Sequence, residues 1–231
     1  MNINQEVVDV ITEQLLAKAS SKQFVYRNTK EKFEQFKIYL SELALKIEEK
    51  VKACDNCVNV KFSENNDFEA QIQFSGDVLV FNMHTNVFTF EESHLIHTTE
   101  YVKKDPFNAY CGMIEVYNFL SDSLKYQRMN DTGYLICRIF INKDSSYIIE
   151  GERPMVELNE GLGNCFVDED FIQILIEQCI GFAIGFDLWA PPYQAVKEVT
   201  VSQKLINSGL TLHQTSKRMG FKMQRDLKLD T

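Results

Sequence analysis

The spacing of hydrophobic residues along this chain changes twice. Apolar residues recur at helical intervals before about residue 52, alternate with polar residues between about 58 and 150, and return to helical intervals from 168. Because an α-helix repeats every 3.6 residues and a strand every two, this pattern predicts helices at both ends of the chain and a sheet between them. The sequence therefore predicts an α+β fold, in which an antiparallel meander sheet of about six or seven strands packs against N-terminal and C-terminal helices. We expect a single domain over residues 1–209 and a basic C-terminal tail over residues 210–231.

The most regular helical stripe lies in the N-terminal part of the chain. Its members recur at steps of three and four residues and are Phe33, Phe36, Leu40, Leu43 and Ile47. With Asn28 as its N-cap, the stripe predicts an amphipathic helix from about residue 29 to about residue 53, and a shorter helix at 4–19 is expected to pair with it as a helical hairpin. The stripe is expected to pack on the core. A dimer seam has nearly the same spacing, so the five residues are also a possible interface with a protein partner or a second copy.

Seven short segments in the middle of the chain have the spacing or composition of strands. They are residues 58–62, 68–74, 78–83, 87–90, 113–119, 134–142 and 147–150. Tight polar turns join several of them, which indicates hairpins. Two connections, at 91–109 and 121–132, are too long for tight turns, and long connections on a rigid sheet are common places for ligand binding.

Two further helices are predicted after the sheet. Asp168 is the expected N-cap of the first, and apolar residues follow it on almost every face, so this helix should be deeply buried and should stop before Pro191. The second is expected over residues 193–207, with Gly209 as its stop signal.

Charge divides the chain into an acidic body and a basic tail. The 24 Lys and Arg residues against 33 Asp and Glu residues give a net charge of −9, and residues 210–231 contribute +3, which leaves −12 for residues 1–209. The acidic body should repel nucleic acid, so nucleic acid is not the expected partner. A DNA-associated regulator is kept as an alternative, because the tail offers possible anion contacts at Lys217, Arg218, Lys222 and Arg225.

The expected compartment follows from the N-terminus and the cysteines. The first residues lack the basic and apolar regions of a secretory signal, and no stretch reaches the roughly 18 apolar residues of a membrane span. We therefore expect a cytoplasmic protein with no membrane association and with reduced thiols. Cys54 and Cys57 have the spacing of half a zinc site or of a redox couple, but no second such pair follows, so both are interpreted as inert.

Residues with catalytic or metal-binding potential are few. His94 and His97 are spaced like two imidazoles on one helix face, and Cys165 follows a glycine-rich segment just before a helix N-terminus. No motif adds a general base or a phosphate cradle, so neither a metal nor a cofactor is expected and the catalytic residues stay unassigned. A non-enzymatic intracellular binding or adaptor protein is the favoured function. The alternative is an enzyme whose site assembles from distant residues around Cys165 or the two histidines.

Overall fold

The computed structural model describes residues 4–202 and residue 204. Its helices include α1 Gln5–Lys52, α2 Glu100–Lys104, α3 Ser121–Lys125, α4 Arg153–Val156, α5 Glu169–Ile184 and α6 Tyr193–Val196. The strands are β1 Val60–Asn66, β2 Glu69–Phe74, β3 Asp77–Met83, β4 Cys111–Leu120, β5 Tyr134–Asn142 and β6 Tyr147–Gly151. Two 3₁₀ helices, Leu95–Thr98 and Pro106–Ala109, lie between β3 and β4. None of the helices in these ranges combines the length and the apolar content needed to span a bilayer.

The six strands form one antiparallel sheet in the order β1 to β6, and each strand pairs with its neighbours in sequence. This confirms the predicted α+β fold with a meander sheet. The strand predicted at 87–90 is wrong, because only Phe88 forms an isolated bridge, to Cys111. The physical reason is that β3 already pairs with β4 along its whole length. No free edge is left between them for a further strand.

Helix α1 is one continuous helix of 48 residues, so the predicted hairpin of helices at 4–19 and 29–53 is wrong. The stretch between the two predicted helices contains neither glycine nor proline, and nothing in it breaks the backbone hydrogen-bond ladder. Asn28, the predicted N-cap, lies inside the helix. Its side-chain amide donates to the Asn142 carbonyl at 2.7 Å, and its side-chain oxygen accepts from the Ser145 hydroxyl at 3.0 Å. A residue that resembles a helix start therefore anchors α1 to the turn after β5.

The hydrophobic core lies between one face of the sheet and helices α1 and α5. Phe33, Phe36 and Leu40 are fully buried there, and Leu43 and Ile47 pack against the same cluster. The predicted stripe is thus part of the core of its own chain. Its three fully buried side chains have no accessible surface to offer to a partner.

One charged side chain, Lys37, is enclosed where α1 crosses the β1–β2 hairpin. Its ammonium group lies 2.6 Å from the Glu64 carboxylate, 3.1 Å from that of Glu34 and 3.0 Å from the Asp67 carbonyl. Burial lowers the pKa of Lys37, but the hydrogen bonds to Glu64 and Glu34 together outweigh burial, and the net shift is upward. The lysine therefore stays charged and links the helix to the hairpin.

In the C-terminal part of the described chain, the structure confirms the first predicted helix and differs from the prediction at the second. The Asp168 side chain accepts from the Phe171 amide at 2.8 Å, as predicted for an N-cap, and α5 ends at Ile184 with Gly185 as its C-cap. The helix predicted over 193–207 is interrupted, because α6 covers only Tyr193–Val196, residues 197–200 are not helical, and residues 201, 202 and 204 are helical again. This segment is exposed, so no packing offsets the weak helix propensity of its β-branched residues. Residues 205–231, which include the predicted basic tail, lie outside the described residues.

The second face of the sheet is covered mainly at one end by the segment between β3 and β4. Residues 88–110 fold over that end and place Ile96 and Val102 in a smaller apolar cluster with Met113 and Phe140. The opposite end of this face, over β1, β2 and β3, is open among the described residues, and it forms the candidate site.

Candidate binding surface

The His94 and His97 rings contact backbone groups of their own connection. His94 is the N-cap of the 3₁₀ helix Leu95–Thr98, and one of its ring nitrogens accepts from the Ile96 amide at 3.2 Å. A ring nitrogen of His97 lies 3.3 Å from the Phe90 carbonyl. The two imidazoles therefore hold the backbone of the connection, and no group of three or more potential metal ligands occurs among the residues described.

Cys165 is a buried thiol. Its Sγ donates to the carbonyls of Tyr147 and Gly161, both at 3.4 Å. A backbone carbonyl cannot take up the thiol proton, so these contacts provide no general base for a nucleophile. Nearby, Gly163 adopts a φ of +92°, and a Cβ on it would lie 2.8 Å from the ring of Tyr101. The glycine-rich segment therefore packs closely against α2.

The six cysteines divide into an exposed pair and four buried thiols, and all are free in the structure. Cys54 and Cys57 are exposed immediately after α1. Burial raises the pKa of Cys111 to about 12. The hydrogen bond with Cys137 and then burial raise the pKa of Cys179 well above its ordinary value. Cys111 and Cys179 are thus held protonated, and the four buried thiols pack as small apolar side chains.

A concave surface on the open end of the sheet encloses a cavity of about 1,250 Å³, which we call the open-face cavity. Its floor comes from residues of β1, β2 and β3 that share the sheet face turned away from α1. The strand register places these residues on the same face, because Lys61 is paired with Gln73, Gln73 is paired with Val78, and directly paired residues point to the same side of a sheet. Gln71 adds a second amide two residues along the same strand, as the two-residue alternation of β2 requires.

The wall of the open-face cavity is the polar connection between β4 and β5, together with α3. The Gln73 amide donates to the Ser121 hydroxyl at 2.8 Å, which ties the wall to the floor. Farther along, Asp131 accepts from the Ser123 hydroxyl at 2.6 Å and lies 3.5 Å from the Arg128 guanidinium. These contacts order a connection that is polar and has little regular structure of its own, so the cavity has a formed wall.

The charges that line the open-face cavity balance one another. Within the part of the chain that the structure describes, three lining residues are acidic and three are basic, and they are Glu48, Glu69, Asp122, Lys61, Lys125 and Arg128. Apolar side chains stand among them, including Leu120 and Leu124 of the wall. No histidine or cysteine of the described residues lines the cavity. Its surface therefore offers hydrogen bonds and apolar contact without a strong field of either sign.

The sequence had indicated only part of this site. The connection at 121–132 is one of the two long connections at which ligand binding is common, and its residues form the wall. The amides of β2 showed no signal beyond ordinary alternation. These amides line one cavity together with α3 and with Leu188, which follows α5, and only the tertiary structure brings these elements together. No family model, curated protein or solved structure matches this chain.

Proposed function

We propose that this protein is an intracellular, non-enzymatic binding or adaptor protein, and that the open-face cavity holds a segment of a partner protein. The observation that carries the proposal is the size and openness of this cavity. Its volume of about 1,250 Å³ exceeds the roughly 300–1,000 Å³ of a typical small-molecule pocket.

The chemistry of the lining also supports a polypeptide ligand. Side-chain amides such as Gln71 offer a donor and an acceptor together, as a peptide group does. Leu124 is 38% exposed on the wall and offers apolar contact beside them. A mixture of apolar contact and a polar surround is usual in protein interfaces. The balanced charge favours neither a polyanion nor a phosphate ligand.

The intracellular part of the proposal rests on the thiols. Two free cysteines on the surface suit a reducing compartment, since exposed thiols oxidise readily elsewhere.

The test is photo-crosslinking in the source cells. A photoreactive amino acid is placed at Gln71 on the floor or at Leu124 on the wall, with Lys46 as the matched control, because Lys46 is exposed on α1 and does not line the cavity. The same protein should be captured from both cavity positions and not from the control position. Thermal melting of each variant checks that the fold is retained.

The captured protein is then purified and its affinity is measured against Gln71→Arg and Lys46→Glu variants. Gln71→Arg should weaken binding by about tenfold or more, because it fills the floor and adds a charge, whereas Lys46→Glu should leave binding unchanged. Equal capture from all three positions, or equal affinity of the two variants, would overturn the proposal.

A further inference from the structure

We propose that Cys137 and Cys179 form a redox switch, in which a hydroperoxide converts their two thiols into a disulfide that links α5 covalently to β5. The proposal concerns the core of the protein and is independent of what the open-face cavity binds. In the structure both thiols are free, so the described state is the reduced one.

The two sulfur atoms are in contact across the interface between the sheet and α5. They lie 3.9 Å apart, and both side chains are fully buried in the main apolar cluster. A disulfide needs about 2.05 Å between its sulfurs, so each sulfur has to move by about 0.9 Å. A movement of this size is within reach of a change in the side-chain torsion of each cysteine.

The other thiols have different neighbours. Cys165 donates to two backbone carbonyls, and Cys111 lies in the smaller apolar cluster on the second face of the sheet. The sheet therefore lies between Cys111 and the pair. Cys54 and Cys57 are exposed after α1, so an oxidant meets them first, but a bond between them would not connect two layers of the core.

The oxidation balances with hydrogen peroxide as the oxidant. One sulfur, as its thiolate, attacks the peroxide, the O–O bond breaks, and the products are a sulfenic acid and water. The second thiol attacks the sulfenic sulfur, the S–O bond breaks, and the oxygen leaves as a second water molecule. The two thiols lose two electrons, and one peroxide molecule accepts them. Because the second thiol is already in contact, the disulfide forms before further oxidation of the first.

α5 provides the route by which peroxide reaches the pair. Cys137 lies on β5, which is paired on both sides with β4 and β6. Cys179 lies in the half of α5 that contains Gly181 and is followed by Gly185, and glycine is a weak helix former. Ile184 at the end of this helix is 64% exposed. The helix therefore opens locally from this end more readily than the sheet does, and the pair stays reduced while the helix is closed.

The first experiment treats the full chain, carrying Cys54→Ser and Cys57→Ser, with hydrogen peroxide. Alkylation after denaturation should count two thiols in place of four, and peptide mapping should show Cys137 joined to Cys179. Dithiothreitol should restore all four thiols. Cys111→Ala is the matched control and should still form the link, whereas Cys137→Ala should leave a sulfenic acid on Cys179 that dimedone traps.

The second experiment asks whether the link holds α5 on the sheet. The oxidised protein should melt about 5–10 °C higher than the reduced protein, since the link closes a loop of 42 residues. The backbone amides of α5 should exchange at least tenfold more slowly, and dithiothreitol should reverse both changes. A disulfide that changes neither measurement would overturn the switch.

The third experiment separates local opening of α5 from global unfolding. The rate of disulfide formation is measured in urea at several concentrations below the unfolding transition. A rate that hardly changes would support local opening, because little surface is exposed. A rate that rises as steeply as global unfolding would overturn the route through α5. Thiols that stay free at every peroxide concentration, or that reach sulfinic acid without the link, would overturn the proposal as a whole.

Discussion

Leu40→Ala tests whether the predicted stripe is a core element. The side chain of Leu40 is fully buried between α1 and the sheet, whereas Leu45, five residues later in the same helix, is 64% exposed. Removing the buried side chain loses its transfer free energy and leaves a cavity that the flanking strands cannot close, at a cost of about 2–5 kcal/mol. The same change at Leu45 loses little burial and introduces the best helix former, so the free energy of unfolding should change by no more than about 0.5 kcal/mol.

The assay is urea unfolding of both variants and of the wild type at two protein concentrations. A loss of about 3 kcal/mol should also lower the melting temperature by about 6–12 °C for a domain of this size. The difference between Leu40→Ala and wild type should be the same at both concentrations, because Leu40 lies within one chain. Equal losses at the two positions would refute the core assignment, and a loss at Leu40 that grows on dilution would place that residue in a dimer seam.

Three other outcomes are expected. Gly112→Ala should cost about 1–3 kcal/mol in urea unfolding, because the new Cβ would lie 2.2 Å from the Thr29 hydroxyl, and an unchanged midpoint would contradict this close approach. Burial, and then a hydrogen bond to a carboxylate, raise the pKa of Tyr101 from 10.0 to about 12. The neutral phenol therefore contributes fully to the stability of the fold below pH 10, and this contribution is lost as the pH rises toward 12. In the Tyr101→Phe variant, the free energy of unfolding should depend less on pH in this range. In the native protein only Cys54 and Cys57 should react quickly with a thiol reagent, and four further thiols should react after denaturation, as mass analysis can count.

Local patterns predicted most elements of the fold because each depends on nearby residues. Alternation revealed the paired strands, and the capping geometry of Asp168 marked the start of α5. The α1 hairpin was wrong because Asn28 is a good cap wherever a helix begins, and the local sequence does not say that the helix has already begun. The Asn28 side chain instead forms hydrogen bonds to the turn after β5. No local sequence pattern indicates these long-range contacts.

The candidate site was less predictable than the fold because its parts come from distant elements. Sequence spacing suggested His94 and His97 as a pair, but in a 3₁₀ turn each ring serves its own backbone neighbour. The floor of the open-face cavity depends on register, and its wall depends on a contact between Gln73 and Ser121 across 48 residues. Neither leaves a motif in the sequence.

The meander order of the sheet also bears on the rate at which the fold assembles. Three neighbouring strand pairs, β1–β2, β2–β3 and β5–β6, are joined by short connections, whereas the contact between Asn28 and Asn142 joins residues 114 positions apart. Loop-closure entropy makes that contact about 3 kcal/mol more costly to form first than a tight hairpin of about three residues. We therefore expect the hairpins to form before the transition state and the docking of α1 to be completed after it. Substitutions between α1 and the sheet should accordingly speed unfolding more than they slow folding.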